Sequence, residues 1–107
     1  MNKGNYYKYK TKKWLEKDGY VCEYLEKNQR LYIKDRVIFI KRDLFGADGL
    51  AMNDEQIIFW QCKLNKKNVA LAIKEFNKFP FPSCPCLSRW IVIWKPRIRQ
   101  PEIIEVT

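Results

Sequence analysis

Three polar side chains interrupt apolar runs near the middle of the chain. Asp48 lies in Gly46-Ala47-Asp48-Gly49-Leu50-Ala51, and Gln61 and Lys63 end the run Ile57-Ile58-Phe59-Trp60-Gln61-Cys62-Lys63. A polar group inside an apolar strand costs free energy unless it is paired or used. The chain has no histidine, which excludes Ser-His-Asp and Cys-His catalysis, a histidine general base and the zincin motif. Glycine-rich phosphate loops are missing as well. Enzyme chemistry in such a chain must rest on carboxylates, amides, lysines and a metal ion.

Whether these side chains meet depends on the elements that carry them. Alternate residues of a strand face the same side, so Gln61 and Lys63 share a face. If the two runs form a hairpin, a four-residue loop from Asn53 to Gln56 sets Asp48 opposite Gln61. A two-residue loop Asn53-Asp54 pairs it with Phe59 and keeps it on that face, whereas an odd loop puts it on the other side.

The rest of the chain reads as follows. Residues 5–18 form a helix, with Asn5 at its start and Gly19 after its end. Residues 20–27 form a strand, Asn28-Gln29-Arg30 a turn, and Leu31 to Lys41 a strand with a bulge or second turn at Asp35-Arg36. Short strands follow at Gly46 to Met52 and Gln56 to Leu64. Asn65 to Phe79 is an amphipathic helix capped by Asn65, with Val69, Ala72, Ile73 and Phe76 on its apolar face. Phe79-Pro80-Phe81-Pro82 stops it. Arg89 to Lys95 and Glu102 to Val106 are the last strands. The expected fold is α/β, one domain over residues 1–107, with a mixed central sheet flanked by helices in the order α-β-β-β-β-α-β-β.

This pattern resembles the PD-(D/E)XK nuclease superfamily, and within it the archaeal Holliday-junction resolvases and related small phage nucleases. The residues that carry the likeness are Leu15-Glu16-Lys17 before Gly19-Tyr20-Val21, then Asp48-Gly49-Leu50-Ala51, then Gln61-Cys62-Lys63. The resemblance implies a restriction-endonuclease-like core and Mg²⁺- or Mn²⁺-dependent hydrolysis of DNA, with dimeric action as in the junction resolvases. It makes Asp48 the metal-bridging acid, Gln61 the second ligand, the Cys62 carbonyl a further ligand, and Lys63 the catalytic cation. Oxygen ligands suit Mg²⁺, which keeps several waters, and a fixed cation offsets transition-state charge. Two positions depart from the family. Gln61 brings no charge, and the glutamate of the family's first helix aligns near Lys8. Asp43 and Glu16 are the candidates for the additional acid.

The net charge of +9 on 107 residues opposes compaction and is explained by a polyanionic partner, of which nucleic acid is the commonest. The basic residues expected on DNA are Lys8, Lys12 and Lys13 in the first helix, Lys66 and Lys67 at the start of the second, and Arg97 and Arg99. Tyr6, Tyr7 and Tyr9 offer rings for unpaired bases. Cys22, Cys62, Cys84 and Cys86 lack zinc-site spacing and read as reduced thiols of a cytoplasmic protein. Plainer readings stand beside these: Asp48 as a turn residue, Lys63 as an edge-strand charge. The alternatives to a nuclease are a non-catalytic basic DNA-binding module with the same fold, and a phage or mobile-element protein whose partner is another protein.

Overall fold

The computed structural model describes residues 3–33, 35–64 and 66–106, with the side chains of residues 3–4, 26–33, 38–44 and 66 outside the description. Helix α1 spans Lys3–Lys17. It is followed by β1 Val21–Tyr24, β2 Glu26–Ile33, β3 Arg36–Asp43, β4 Gly49–Met52, β5 Ile57–Lys63, α2 Val69–Asn77, β6 Leu87–Ile93 and β7 Glu102–Glu105. The five-stranded sheet has the order β1-β4-β5-β6-β7, and β2-β3 form a separate two-stranded sheet. Neighbours in the large sheet are antiparallel except β5 and β6, which run parallel across the α2 connection.

An α/β chain with a mixed sheet and two helices was expected, but the element order differs. Five strands precede α2 rather than four. The run Leu31 to Lys41 is not one strand: Ile33 pairs with Arg36, so the chain reverses within two residues. Asn28, Gln29 and Arg30, expected as a turn, are paired strand residues of β2. Of the two readings offered at Asp35-Arg36, a bulge or a second turn, the turn is the one found, with Asp35 between the paired strands.

The helices sit on opposite faces of the sheet. Even-numbered residues of β5 and β6, namely Ile58, Trp60, Val92 and Trp94, pack with Leu15 of α1. Odd-numbered Ile91 and Ile93 pack with Ala72 and Phe76 of α2, with Phe59, Val69 and Ile73 partly buried beside them. Both amphipathic faces are therefore covered, which is what closes a core in so short a chain.

Local chemistry sets the element ends. α1 includes Asn5 as an ordinary helical residue and stops at Gly19, whose φ is +93°. The amides of Gly19 and Tyr20 donate to the Glu16 and Leu15 carbonyls, at 3.1 and 3.2 Å, a Schellman ending. The expected cap Asn65 lies outside the described residues. α2 begins only at Val69, after a 3₁₀ turn over Lys66–Asn68, and Asn68 makes no side-chain cap bond. Among the described residues no helix is long and apolar enough to cross a membrane.

Gly49 is required for a different reason. A Cβ there would come within 2.1 Å of Trp60 Cζ2, and Trp60 is wholly buried. Gly49→Ala therefore must displace the largest core ring. Overpacking typically costs about 1–3 kcal/mol, and this clash belongs at the upper end, a fall in melting temperature of roughly 10 °C. Thermal denaturation of that variant checks it, and an unchanged melting temperature would refute the packing.

Candidate functional site

Met52 pairs with Ile57, so the four-residue loop Asn53 to Gln56 closes the β4-β5 hairpin. Asn53 Oδ1 holds it by accepting from the amides of Glu55 and Gln56, at 2.9 and 2.8 Å. This is the loop length that sets Asp48 opposite Gln61 if pairing continues regularly. The pairing does not continue so. The Asp48 amide donates to the Trp60 carbonyl at 2.9 Å, although Trp60 is the register partner of Gly49. Two residues thus face one, as in a β-bulge, a device that re-aims a side chain.

The bulge brings the Asp48 carboxylate to the strand end. Oδ2 accepts the Cys62 amide at 2.8 Å, and Oδ1 lies 3.6 Å from Lys8 Nζ. Asp48 is 3% exposed. A buried carboxylate needs such partners, because desolvation of an unpaired charge outweighs almost any other local gain. Lys8, expected among the basic residues on DNA, lies against this carboxylate as its counter-ion.

Gln61 is 2% exposed and points towards the α2 side of the sheet. Its Nε2 donates to Glu75 Oε2 of α2 at 2.7 Å. Its Oε1 is buried with no hydrogen-bond partner. The amide orientation follows from the contact, since only the nitrogen can donate to a carboxylate. Lys63, two residues on, shares the Gln61 face and is partly exposed. Two pairs lie near the ends of β4 and β5, Asp48 with Lys8 and Gln61 with Glu75, and Lys63 is on the Gln61 face of its strand. Asp48 and Gln61 are served from opposite layers, the one by α1 and the other by α2, and the Gln61-Cys62 peptide lies between them.

Glu75 was not anticipated. Its only signal was an acid one position before the apolar Phe76 of a helix that follows Lys63. Of the two acids that were anticipated, Glu16 lies elsewhere. Glu16 is paired with Lys13 at 3.5 Å and stands eight residues from Lys8, about 12 Å along the helix. The side chain of Asp43 lies outside the described residues. Among the described residues no three His, Cys, Asp or Glu side chains group closely enough to hold a metal ion.

The basic residues divide into two sets. Lys10, Lys13, Lys17 and Arg99 line a cavity of about 340 Å³ together with Trp14 and Trp94. This joins Arg99 to the first-helix lysines, which sequence separation concealed. Lys10 Nζ sits 4.5 Å from the Trp94 ring centre and Lys12 Nζ 5.0 Å from that of Tyr24, cation–π distances that hold the ammonium groups against the surface. Trp94 donates its backbone amide to the Lys63 carbonyl at 3.0 Å, so this basic cavity adjoins the end of β5. Arg97, at φ +67°, and Lys67 are exposed, and the Lys66 side chain is not described. Tyr6 and Tyr9 are half-exposed, whereas Tyr7 packs against the core.

All four cysteines are free thiols. Cys84 and Cys86 lie at the surface with their sulfurs 3.6 Å apart, and Cys22 is in the core. Beside the site, burial pushes the Cys62 thiol up to about 11, only partly offset by a hydrogen bond from Thr11. Cys22 is raised to about 11 by the same cause. Cys62 is thus a neutral thiol, and its backbone, not its sulfur, serves the site. Because both pKa values are raised on folding, their stabilising contribution is complete below the ordinary thiol value of 9.0 and is lost as pH climbs towards about 11. Urea midpoints should fall across that interval; a flat profile would contradict the burial of these thiols.

Comparison of the chain with protein-family models, with curated proteins and with solved structures finds no match.

Proposed function

We propose that this protein is a metal-dependent nuclease that hydrolyses DNA phosphodiester bonds on a restriction-endonuclease-like core. The observation that carries the reading is the orphaned oxygen of Gln61, a buried acceptor on a side chain whose nitrogen is already bound to Glu75. Native proteins leave few such atoms, and a missing ion is one of the standard reasons.

The donor chemistry fits a hard divalent cation. Asp48, Gln61 Oε1 and Glu75 offer oxygens, and the Cys62 carbonyl lies on the same strand edge as the amide that meets Asp48. Mg²⁺ and Mn²⁺ accept so few protein ligands because water completes their shells. When bound, such an ion supplies an activated water and neutralises charge on the leaving oxygen.

The remaining roles belong to side chains. Lys63, on the Gln61 face of β5, supplies an ammonium to offset the charge that a bound phosphate develops. The Cys62 amide and Lys8 fix the Asp48 carboxylate. Glu75 fixes the Gln61 amide so that its oxygen, not its nitrogen, faces the site. The cavity lined by Lys10, Lys13, Lys17 and Arg99 gives the DNA backbone a basic path to the end of β5.

A second reading is favoured by one specific contact. Lys8 occupies the position where a nuclease of this kind carries an acid, and it neutralises Asp48. On that reading the protein binds DNA without cutting it. Incubation of supercoiled and branched DNA with Mg²⁺ or Mn²⁺ separates the two. The nuclease reading expects nicking that Asp48→Ala and Lys63→Ala each reduce at least a hundredfold while DNA binding persists. Salt-sensitive binding with no cleavage in either metal would leave the non-catalytic module, and cleavage unaffected by both substitutions would remove this site from the reaction.

Gln61→Glu tests the ion itself. Without metal the variant loses the hydrogen bond to Glu75 and sets two carboxylates against each other, at a cost of about 1.5–3 kcal/mol. Calorimetry in EDTA should show that loss, and Mn²⁺ should raise the melting temperature of the variant more than that of the parent. An equal response of both proteins to Mn²⁺ would mean that Gln61 is not a ligand.

A further inference from the structure

The three segments that carry Asp48, Gln61 and Glu75 each hold an aromatic ring a few residues away. Phe45 precedes Asp48 by three positions, Phe59 precedes Gln61 by two, and Phe79 follows Glu75 by four. These rings converge. Phe45 lies 6.2 Å from Phe59 and 5.8 Å from Phe79, edge to face, and Phe81 lies 5.0 Å from Phe59. With Pro80 and Pro82 they line an open cavity of about 210 Å³ whose wall is almost wholly apolar.

Phe59 and Gln61 point to the same face of β5, two residues or about 7 Å apart. The cavity is therefore next to the polar site and not a remote patch. Phe45 is 51% exposed and holds a left-handed backbone, φ +57°. Such backbone strain in a bulky residue persists only where the surroundings impose it, and it clusters at ligand sites. Arg89 stands over the Phe81 ring at 5.1 Å but lines the neighbouring cavity, where it donates to Asn77. An apolar aromatic slot beside the polar Gln61–Glu75 pair matches the base and the phosphate of one nucleotide.

We propose that this slot receives an unpaired nucleobase of the strand whose phosphate lies at Asp48 and Gln61. The inference rests on the nuclease reading and deepens it: the substrate is DNA with an unpaired nucleotide at the cleavage position. The wall carries no hydrogen-bonding pattern, so the base is held by stacking and the slot does not read sequence. Stacking on aromatic side chains tolerates every base.

Binding in EDTA, where nothing is cut, tests the slot apart from the chemistry. The probes are a mixed-sequence single strand and a strand of equal length and charge built of abasic sites. The parent protein should bind the base-bearing strand about tenfold more tightly. Phe45→Leu keeps apolar bulk but removes a ring, and Phe79→Leu does so independently; each should bring the ratio to within about twofold. Equal affinity of the parent protein for both strands would overturn the proposal, as would a ratio retained by both variants. A Phe45-dependent dimer in sedimentation, without base preference, would assign the slot to a second copy of the chain instead. Base preference without cleavage in Mg²⁺ or Mn²⁺ would keep the slot and remove the nuclease reading, and cleavage without base preference would do the reverse.

Discussion

The burial of one carboxylate governs this architecture. Asp48 is almost fully shielded from water, and an ionised group there is tolerable only with partners fixed in place. The structure meets that demand from two directions. A bulge opposite Trp60 swings the side chain onto the Cys62 amide, and the second turn of α1 brings Lys8 to the other oxygen. Both partners constrain the fold in turn. The bulge brings Gly49 against the Trp60 ring, which leaves no space for a Cβ, and the ion pair sets how α1 lies across the sheet. Thr11, one turn after Lys8, adds a second polar tie. It accepts the Trp94 indole N–H at 2.7 Å and contacts the Tyr7 carbonyl at 2.8 Å, so α1 is pinned to β4 through Lys8 and to the end of β6 through Thr11.

The sheet centre was legible in the sequence because burial on both faces leaves few choices. Ile57 to Lys63 reads as strand whichever side is considered, and α2 shows its face through Ala72 and Phe76. The hairpin loop was legible too, since Asn53 is a good turn residue and parity admits few lengths. These are the elements that carry Asp48, Gln61 and Lys63. Strand logic thus placed Gln61 and Lys63 on one face of their strand, whereas the facing of Asp48 depended on the bulge.

What sequence reasoning missed shares one cause, namely contacts between residues distant in the chain. The bulge depends on how Gly49 meets Trp60, eleven positions away, and no local signal announces it. The partnership of Lys8 with Asp48 spans forty positions, and a lysine in a lysine-rich helix carries no mark that distinguishes it from its neighbours. Glu75 likewise looks like a solvated helix charge until Gln61 is seen opposite. The β2-β3 reversal was legible only as one of two options at Asp35-Arg36, because Lys34-Asp35-Arg36 lacks the glycine or Asn-Gly pair that marks most two-residue turns.

Gln61 then becomes understandable as part of a redistribution of charge. A glutamate at position 61 would stand beside the partly exposed Glu75, and two carboxylates at hydrogen-bonding distance repel unless a proton or a cation lies between them. An amide removes that repulsion and still leaves one oxygen directed into the site. Lys8 does the same for Asp48 from the other layer. On the proposed reading, two acids set against Lys8 and Lys63 leave the site close to neutral before any cation binds. The Lys8–Asp48 contact, at 3.6 Å with the lysine side chain 22% exposed, is long for a hydrogen bond and lies near the surface. Such a contact is exchanged for another cation at far lower cost than a short, fully buried pair. On the proposed reading, the substitutions that take this chain away from the family pattern are compensations for a site that must be stable when empty, and they lower the affinity for the ion without removing the oxygens that bind it.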